Sequence, residues 1–275
     1  MAHLFIFGLG YSARYIAEAA RAAGWRVSAT GSAGDVRFDE FDGVRTLCEG
    51  ATHILSSVPP NGDSGVDNVL ETYGGLLARS DAWLGYLSST GVYGDTGGAW
   101  VDESADIVGL GGTGRRTARG QADASWLDVG ARVFRLPGIY GPGRSVFERI
   151  EKGRARRIAL PGQVFSRVHV ADIASGVMAA MSGDAPPGAY NLGDDLPASQ
   201  NRVIEHACAL ADAEPPPLLS LAEADLSPMA RGFYAENRRV ANGKAKRVLG
   251  WRPAFPTYRE GLAHIRETLS RSAAP

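Results

Sequence analysis

The sequence predicts an α/β protein built on a doubly wound parallel sheet, with a smaller, irregular lobe towards the C-terminal end. Three observations support this prediction. Short apolar runs alternate with segments of helical spacing over the first half of the chain, a pattern typical of strands that pair in parallel. A glycine turn follows the first apolar run directly. After Tyr140 the alternation gives way to segments rich in glycine and proline.

The individual elements follow from the spacing of apolar residues. Residues 4–7 form an apolar run that ends at Gly8, and residues 11–23 are rich in alanine with no internal glycine or proline. This order predicts a strand, a tight turn and a helix. Further strands are expected at 25–30, 51–58, 82–88 and 131–136, and a last helix at 257–270.

The same pattern divides the chain into two parts. We expect residues 1–140 and 164–194 to form the sheet domain, and residues 141–163 and 195–275 to form the smaller substrate lobe. Ligands of parallel sheets lie at the carboxyl ends of the strands. One crevice is therefore expected at the loops after Phe7, Thr30, Ser57, Ser88 and Leu136.

Composition narrows the class of protein. Hydrophobic residues make up 44% and charged residues 21% of the 275 residues, which is ordinary for a globular chain and argues against disorder or a coiled coil. Cys48 and Cys208 have no companion at disulfide or metal spacing, so we predict no metal site and a reducing, cytoplasmic location. No apolar run reaches the roughly 18 residues of a membrane helix, and we expect no signal peptide and no membrane partner.

Charge is unevenly distributed along the chain. The net charge is −1, yet residues 113–157 carry 11 Lys and Arg against 4 Asp and Glu. Such a block favours an anionic small-molecule partner, while an ordinary solvated basic surface remains the alternative. No nucleic-acid recognition motif accompanies the charge, so we do not expect a nucleic-acid partner.

The strongest motif is the glycine turn itself. The segment Gly8-Leu9-Gly10-Tyr11-Ser12-Ala13 matches G-x-G-x-x-G/A between a predicted strand and a predicted helix, the context of a Rossmann-type dinucleotide site. The first glycine makes the turn, the second lets the backbone approach a pyrophosphate, and the alanine permits close packing. The N-terminus of the helix then supplies free N–H groups and partial positive charge.

The cofactor is predicted to be NADP, with NAD left open. The second strand ends in Ala29-Thr30-Gly31-Ser32 and lacks the carboxylate that usually binds the ribose 2′-hydroxyl of NAD. No arginine for a 2′-phosphate lies in that stretch either, while Asp35, Arg37 and Asp39 lie close enough to affect the choice. Beyond the glycine turn, cofactor contacts are expected at Thr30, Ser32, Asp39, Ser57, Val58, Ser88, Pro137 and Ile139.

Four further segments carry a resemblance to a known family. They are Ser88-Ser89-Thr90-Gly91-Val92-Tyr93-Gly94-Asp95, Arg135-Leu136-Pro137-Gly138-Ile139-Tyr140-Gly141-Pro142-Gly143, Arg167-Val168-His169-Val170-Ala171-Asp172-Ile173-Ala174 and Leu249-Gly250-Trp251-Arg252-Pro253. With the glycine turn, and in this order, they resemble the extended short-chain dehydrogenase/reductases, the group of sugar-nucleotide epimerases and dehydratases. The resemblance extends from residue 8 to residue 253.

The resemblance implies a catalytic Ser, Tyr and Lys, of which only the first is present. Ser89 matches the family's serine, with Thr90 beside it. The family's Y-x-x-x-K pair falls on Arg115 and Arg119, and no tyrosine of the chain has a lysine four residues later. The chain therefore resembles an atypical member of the group.

Arginine cannot replace that tyrosine as an acid or base. A guanidinium donates hydrogen bonds but does not release a proton near neutral pH. We expect Arg115 and Arg119 to bind an anion, and Tyr140 to be the first substitute for the missing acid. Tyr93 and His169 are expected to be structural, as the resemblance implies.

Two functions remain open on the sequence. The first is an NAD(P)-dependent epimerase, dehydratase or oxidoreductase that acts on an anionic, sugar-type substrate with altered acid/base chemistry. The second is a non-catalytic NAD(P)-binding sensor or interaction protein. The sequence leaves the oligomeric state undecided, with a homodimer among the options.

Overall fold

The structure is a computed structural model of the chain. It describes residues 1–62, 64–108, 110, 115–183, 185–226, 231–232 and 234–272, with the side chains at 115, 116 and 272 excepted. Among the described residues, no helix is both long and apolar enough to cross a membrane.

Strands and helices alternate over the first half of the described residues. The strands are β1 (His3–Phe7), β2 (Arg26–Ala29), β3 (His53–Ser56), β4 (Trp83–Ser89), β5 (Trp100–Val101), β6 (Arg132–Leu136), β7 (Gly138–Tyr140), β8 (Arg157–Ile158), β9 (Arg167–His169), β10 (Gly188–Asn191), β11 (Leu218–Leu219) and β12 (Arg239–Val240). The helices are α1 (Tyr11–Ala22), α2 (Phe41–Glu49), α3 (Asn68–Leu77), α4 (Arg115–Asp128), α5 (Val146–Glu151), α6 (Val170–Ser182), α7 (Gln200–Leu210), α8 (Gly243–Val248) and α9 (Tyr258–Ser272), with a 3-10 helix at Thr90–Tyr93.

Six strands form one parallel sheet in the order β10-β6-β4-β3-β1-β2. From β1 the chain moves to β2 on one side and then returns to β3 on the other side. Ligands of doubly wound sheets lie where the strand order reverses in this way. The predicted fold class is confirmed, and the reversal puts the glycine turn after β1 at the expected ligand position.

Both faces of the sheet are buried, which explains the continuous apolar runs. Along β1, Leu4 and Ile6 face one core with α1 and α6, whereas Phe5 and Phe7 face the opposite core with α2, α3 and α4. Successive side chains of a strand point to opposite faces, so a strand covered by helices on both sides has to be apolar throughout.

Two of the sequence motifs hold the C-terminal segment to the sheet domain. The Asp172 carboxylate accepts hydrogen bonds from the backbone N–H groups of Ala254 at 2.6 Å and Phe255 at 3.1 Å. The Trp251 indole N–H donates to the Ser175 hydroxyl at 3.0 Å. These bonds join the start of α6 to the segment before α9, and so help to position the lobe.

The lobe has its own apolar core, in which α5, α7 and α9 pack together. Buried side chains from each of these helices meet there, including Val146, Ile204 and Leu262. Tyr140 belongs to the same core. It lies in the short strand β7, which pairs in parallel with β9, whereas the sequence predicted a loop at this position.

Candidate functional site

A cleft of about 1140 Å³ opens at the carboxyl ends of the sheet strands, between the start of α1 and the lobe. Most of the predicted site residues lie in its wall: Gly10, Tyr11, Ser12, Ala13, Ser57, Ser88, Ser89, Thr90, Arg119, Pro137, Ile139 and Tyr140. The loops after β1, β3, β4 and β6 therefore share one crevice.

Gly10 is the last residue of the glycine turn before α1 and is the N-cap of that helix. A Cβ atom built on Gly10 would have no heavy atom within 4 Å, and the first turn of α1 contains no acidic residue. Ala13 is fully buried and packs into the core below. An open space in front of free helix N–H groups fits a pyrophosphate, so these residues fit a bound dinucleotide.

Contacts with Thr30 and Val58 hold Gly8 of the turn in place. The Gly8 N–H donates to the Thr30 hydroxyl at 2.9 Å, and the Ser57 hydroxyl donates to the Gly8 carbonyl at 2.5 Å. Gly8 has a φ of +81°, and a Cβ there would lie 2.9 Å from Cγ2 of Val58. Glycine is therefore required at this position. Leu9 packs against the sheet core.

A second cavity of about 580 Å³ lies beyond the end of β2 and includes Ser32 and Asp39 in its wall. The Asp35 carboxylate faces back into the fold, where it accepts the Ala29 N–H at 2.9 Å. Asp39 pairs with Arg37 at 3.1 Å, and both side chains are exposed. This cavity thus holds the carboxylates of Asp35, Asp39 and Glu40 against the one guanidinium of Arg37, and direct measurement decides between NAD and NADP.

Tyr11 reaches across the cleft to the lobe. Its hydroxyl donates to the Pro142 carbonyl at 3.0 Å, and the Arg144 guanidinium lies over its ring at 5.7 Å. The glycine turn is therefore tied to the loop before α5. Burial raises the pKa of the Tyr11 hydroxyl, with the neighbouring Tyr15 acting in the same direction, so this hydroxyl is a poor proton donor near neutral pH.

Ser89 and Thr90 lie at the end of β4, in the wall of the cleft. The Ser89 Oγ accepts the Gly91 N–H at 3.1 Å and so caps the 3-10 helix. This bond uses the oxygen only as an acceptor. The Ser89 hydroxyl hydrogen is therefore not used in this bond, and its role in orienting a substrate oxygen stays a prediction.

A buried polar network lies behind this serine. The Ser88 hydroxyl donates to Asp123 at 2.6 Å, Asp123 pairs with Arg135 at 2.7 Å, and Arg135 donates to the Tyr93 hydroxyl at 2.9 Å. The Tyr93 hydroxyl in turn donates to Asn191 at 2.8 Å. Tyr93 is thus held inside the fold, which agrees with a structural role.

Two arginines occupy the positions of the family's Tyr and Lys, and the structure describes the side chain of only one of them. Arg115 begins α4, but its side chain lies outside the described part of the structure. Arg119 is half-buried and lines the cleft. Burial raises the pKa of the nearby Tyr86 hydroxyl, and the positive charge of Arg119 opposes that rise. An anion-binding role for Arg119 stays a prediction that fits its position.

Tyr140 lines the cleft but directs its hydroxyl into the lobe. The hydroxyl donates to the Thr257 carbonyl at 3.5 Å, and burial raises its pKa. This arrangement does not favour Tyr140 as the replacement acid, which the sequence predicted. His169 is buried beneath it, its ring 5.2 Å from that of Tyr140, and burial lowers its pKa to about 4. His169 is therefore neutral near pH 7.

The charge of the cleft is strongly positive. Arginines line it at 119, 144, 149, 167 and 238. Among the described residues, Arg238 pairs with Glu236 at 2.5 Å, and the Glu148 carboxylate is occupied in capping α5. No cluster of three or more His, Cys, Asp or Glu in the described part of the chain could hold a metal ion.

Sequence reasoning missed part of this site. Arg144 and Arg149 lie within the basic block 113–157, so the sequence indicated their charge but not their position in the cleft. Arg167 stood in a recognised motif, but nothing in the motif indicated that it faces the cleft. Tyr234 and Arg238 carried no signal, since their place in the cleft wall depends on how the lobe folds back.

No protein-family model matches the chain. A solved structure of a functionally unknown conserved protein from Silicibacter pomeroyi DSS has a TM-score of 0.84 and 40% identity, over 98% of this chain and 99% of that chain. This chain belongs to the same family as that protein. Its membership alone gives no activity, because the Silicibacter protein is itself functionally unknown.

A curated relative does carry an activity. The 3-diazoavenalumate denitrifying reductase of a Streptomyces species is 29% identical over 201 residues. The match takes in 68% of this chain and 63% of the Streptomyces protein. The chain therefore spans less than two thirds of that relative's length.

More distant solved structures share the fold. Human epimerase family protein SDR39U1, solved with NADPH, has a TM-score of 0.77 and 14% identity over 96% of this chain and 99% of that one. UDP-glucose 4-epimerase from Thermotoga maritima, solved with UDP-glucose, has a TM-score of 0.78 and 15% identity over 99% of this chain and 100% of that one. At these identities the likeness shows the fold alone. The structural neighbours are thus epimerase-type proteins, and some of them bind a nicotinamide cofactor.

Proposed function

We propose that the protein is an NAD(P)-dependent oxidoreductase that acts on a small anionic substrate. The observation that carries this proposal is the cleft itself. One end is the glycine turn at Gly10, which fits a dinucleotide, and the rest is lined by arginines that outnumber the carboxylates. A sugar nucleotide, as in the Thermotoga neighbour, is one anion of this kind.

The chain's own groups would hold the cofactor at its phosphates. The N–H groups at the start of α1 meet the pyrophosphate, and Gly10 leaves room for it. The bound nicotinamide supplies or accepts a hydride. Pro137 and Ile139 line the cleft beyond the end of β6, where they exclude water from the reacting end.

The proton is handled differently from the family's usual chemistry. Ser89 can orient a substrate oxygen, and Arg119 can stabilise negative charge that develops on it. Neither of these groups delivers a proton near pH 7. Tyr11 and Tyr140 direct their hydroxyls to backbone carbonyls. The chemistry that suits this site therefore takes its proton from water or needs none.

Reductive loss of nitrogen is one reaction that needs no proton from the protein. When a hydride replaces dinitrogen on a diazonium carbon, a C–H bond forms, the C–N bond breaks, and the electron pair of that bond leaves with N₂. The Streptomyces relative is named for a denitrifying reduction. A diazo-type acceptor is therefore the second substrate class that we propose, beside a sugar nucleotide.

Two measurements test the proposed function. A thermal-shift screen with NAD and NADP should raise the melting temperature, since a ligand that binds only the folded state stabilises it. Oxidation of NADPH, followed at 340 nm with panels of nucleotide sugars and aryl diazonium carboxylates, should then show turnover. Cofactor binding without turnover of either panel would favour the non-catalytic sensor, and the absence of binding would contradict both functions.

A further inference from the structure

Two arginines on the lobe side of the cleft differ from the others in their surroundings. Arg167, on β9, is only 7% exposed and still lines the cleft. Its guanidinium donates to the carbonyls of Phe165 and Ala198, each at 2.8 Å, and to the Gln200 side-chain oxygen at 3.2 Å. All three acceptors are neutral, so none of them compensates its charge.

Arg149, on α5, lines the same part of the cleft. No hydrogen bond or ion pair of its guanidinium is found within the described ranges. Burial lowers the pKa of Arg167, Asp194 opposes this effect, and the positive charge of Arg149 adds to it. Arg149 itself is an exposed residue. The pKa of Arg167 remains about 10, so two repelling positive charges face this region at neutral pH.

The Asp194 carboxyl offsets the charge of Arg167 only in part. Asp194 interacts electrostatically with Arg167 but forms no ion pair with it within 4 Å. Burial raises the pKa of Asp194 to about 8, although Arg167 opposes the rise. Burial therefore favours the neutral form of this carboxyl. A buried charge that is compensated only in part is costly, and an anion bound in the cleft would relieve that cost.

The walls around the two arginines are apolar and aromatic. The guanidinium of Arg167 lies 5.8 Å from the ring of Phe165, and the Tyr234 ring meets Phe165 edge to face at 5.5 Å. Further apolar lining of the cleft comes from the buried core of the lobe, from α5, α7 and α9: Val146, Val203, Tyr258 and Leu262.

We propose that Arg149 and Arg167 form a subsite for a carboxylate carried on a flat, apolar body, so that the substrate is an aromatic or unsaturated carboxylic acid. This inference rests on the proposed oxidoreductase and names its substrate class. The guanidinium groups bind the carboxylate oxygens, while the body packs against Phe165 and the lobe core. The carboxylate anchors the substrate with its other end towards Ser89.

A carboxylate suits this place better than a diphosphate. Arg167 already directs two of its nitrogen atoms to backbone and side-chain oxygens, so it has few donors left for a group with many oxygens. The apolar walls likewise offer little to a sugar, whose hydroxyls need hydrogen-bond partners when buried.

Isothermal titration of the NADP-saturated protein tests the inference, with cinnamate as the probe. Cinnamamide is the matched neutral ligand, and UDP-glucose and inorganic phosphate are the competing anions. Arg149→Gln removes the more accessible charge and leaves the backbone contacts of Arg167 intact. Arg154→Gln is the matched control, because Arg154 is exposed and lies outside the cleft wall.

Cinnamate is expected to bind at least ten-fold tighter than cinnamamide, a difference of about 1.4 kcal/mol. Arg149→Gln should lose that ten-fold preference, Arg149→Lys should retain part of it, and Arg154→Gln should bind like the parent. Equal affinity for cinnamate and cinnamamide, or tight binding of UDP-glucose or phosphate alone, would overturn the carboxylate subsite. NADP binding and NADPH oxidation are measured separately, so the absence of either one identifies failure of the oxidoreductase proposal independently of the preference for cinnamate.

Discussion

The carboxylate of Asp123 and the guanidinium of Arg135 form a fully enclosed ion pair at 2.7 Å, with side chains 0% and 3% exposed. The pair joins α4 to the neighbouring strand β6. Asp123 also accepts from Ser88, the residue before the candidate site serine. The position of Ser89 in the cleft therefore depends on a charge pair that lies behind it.

Replacing Asp123 by Asn should destabilise the protein by about 3 to 5 kcal/mol, because the change leaves the Arg135 charge buried without its partner. Urea denaturation followed by circular dichroism measures the loss. Asp128→Asn is the control, since Asp128 lies exposed on the same helix and should change the stability by less than about 0.5 kcal/mol. Equal effects of the two variants would mean that the pair contributes nothing.

The cofactor preference is predicted to favour NADP over NAD. The Asp35 carboxylate accepts a backbone N–H, Asp39 pairs with Arg37, and Glu40 accepts the Arg37 N–H, so each carboxylate at the end of β2 already has a partner within the protein. Direct titration with both cofactors measures the preference. Ser32→Asp, which adds a carboxylate to the second cavity, should weaken NADP binding more than NAD binding. NAD binding ten-fold tighter in the parent, about 1.4 kcal/mol, would reverse the prediction.

The raised pKa of Asp194 gives the folded protein a specific pH dependence. Its pKa is about 8 in the fold and about 3.9 in an unfolded chain, so the folded state binds more protons between these values. The stability that this carboxyl contributes is complete below about pH 4 and is lost as the pH rises through 8. Asp194→Asn should therefore gain stability relative to the parent as the pH rises from 5 to 8.

Denaturation series at several pH values measure this gain. A variant that is less stable than the parent at pH 7 would show that Asp194 is ionised and compensates Arg167. That result would also remove one support for the carboxylate subsite.

The two arginines at the family's catalytic positions are predicted to bind anions rather than to move protons. Restoring the family pair with Arg115→Tyr and Arg119→Lys should weaken the binding of inorganic pyrophosphate to the cleft and increase slow hydride transfer. Arg119→Lys alone keeps the charge and is the control. Unchanged pyrophosphate affinity in the double variant, at matched ionic strength, would show that these arginines do not face the ligand.

The sheet could be predicted because its signals are local. The apolar runs of β1, β3, β4 and β6 and the turn at Gly8 each lie within a few residues, and the structure has them where the sequence indicated. The acid/base question could not be answered in this way. Tyr140 stands in a motif that faces the crevice, yet its hydroxyl is directed to Thr257, which lies just before α9 and more than a hundred residues later.

The residues that line the substrate side of the cleft could not be predicted from the sequence either. Arg149, Arg167 and Tyr234 come from three separate segments, and only the folded lobe brings them together. Charge counting along the chain found the basic block but also included Arg154 and Arg156, which do not line the cleft. Long-range packing decides which of these charges meet a ligand.

The central claim is that the turn at Gly10 holds a nicotinamide dinucleotide, and calorimetric titration of NADP and NAD into the parent and a Gly10→Val variant tests it most directly. Gly10 has an ordinary φ of −79° and open space around its Cβ position, so the variant should fold, while its side chain fills the space of the pyrophosphate. Gly74→Val, at a helical glycine that also has open space, is the control. We expect the parent and Gly74→Val to bind cofactor and Gly10→Val to lose it; unchanged affinity of Gly10→Val for both cofactors would contradict the claim.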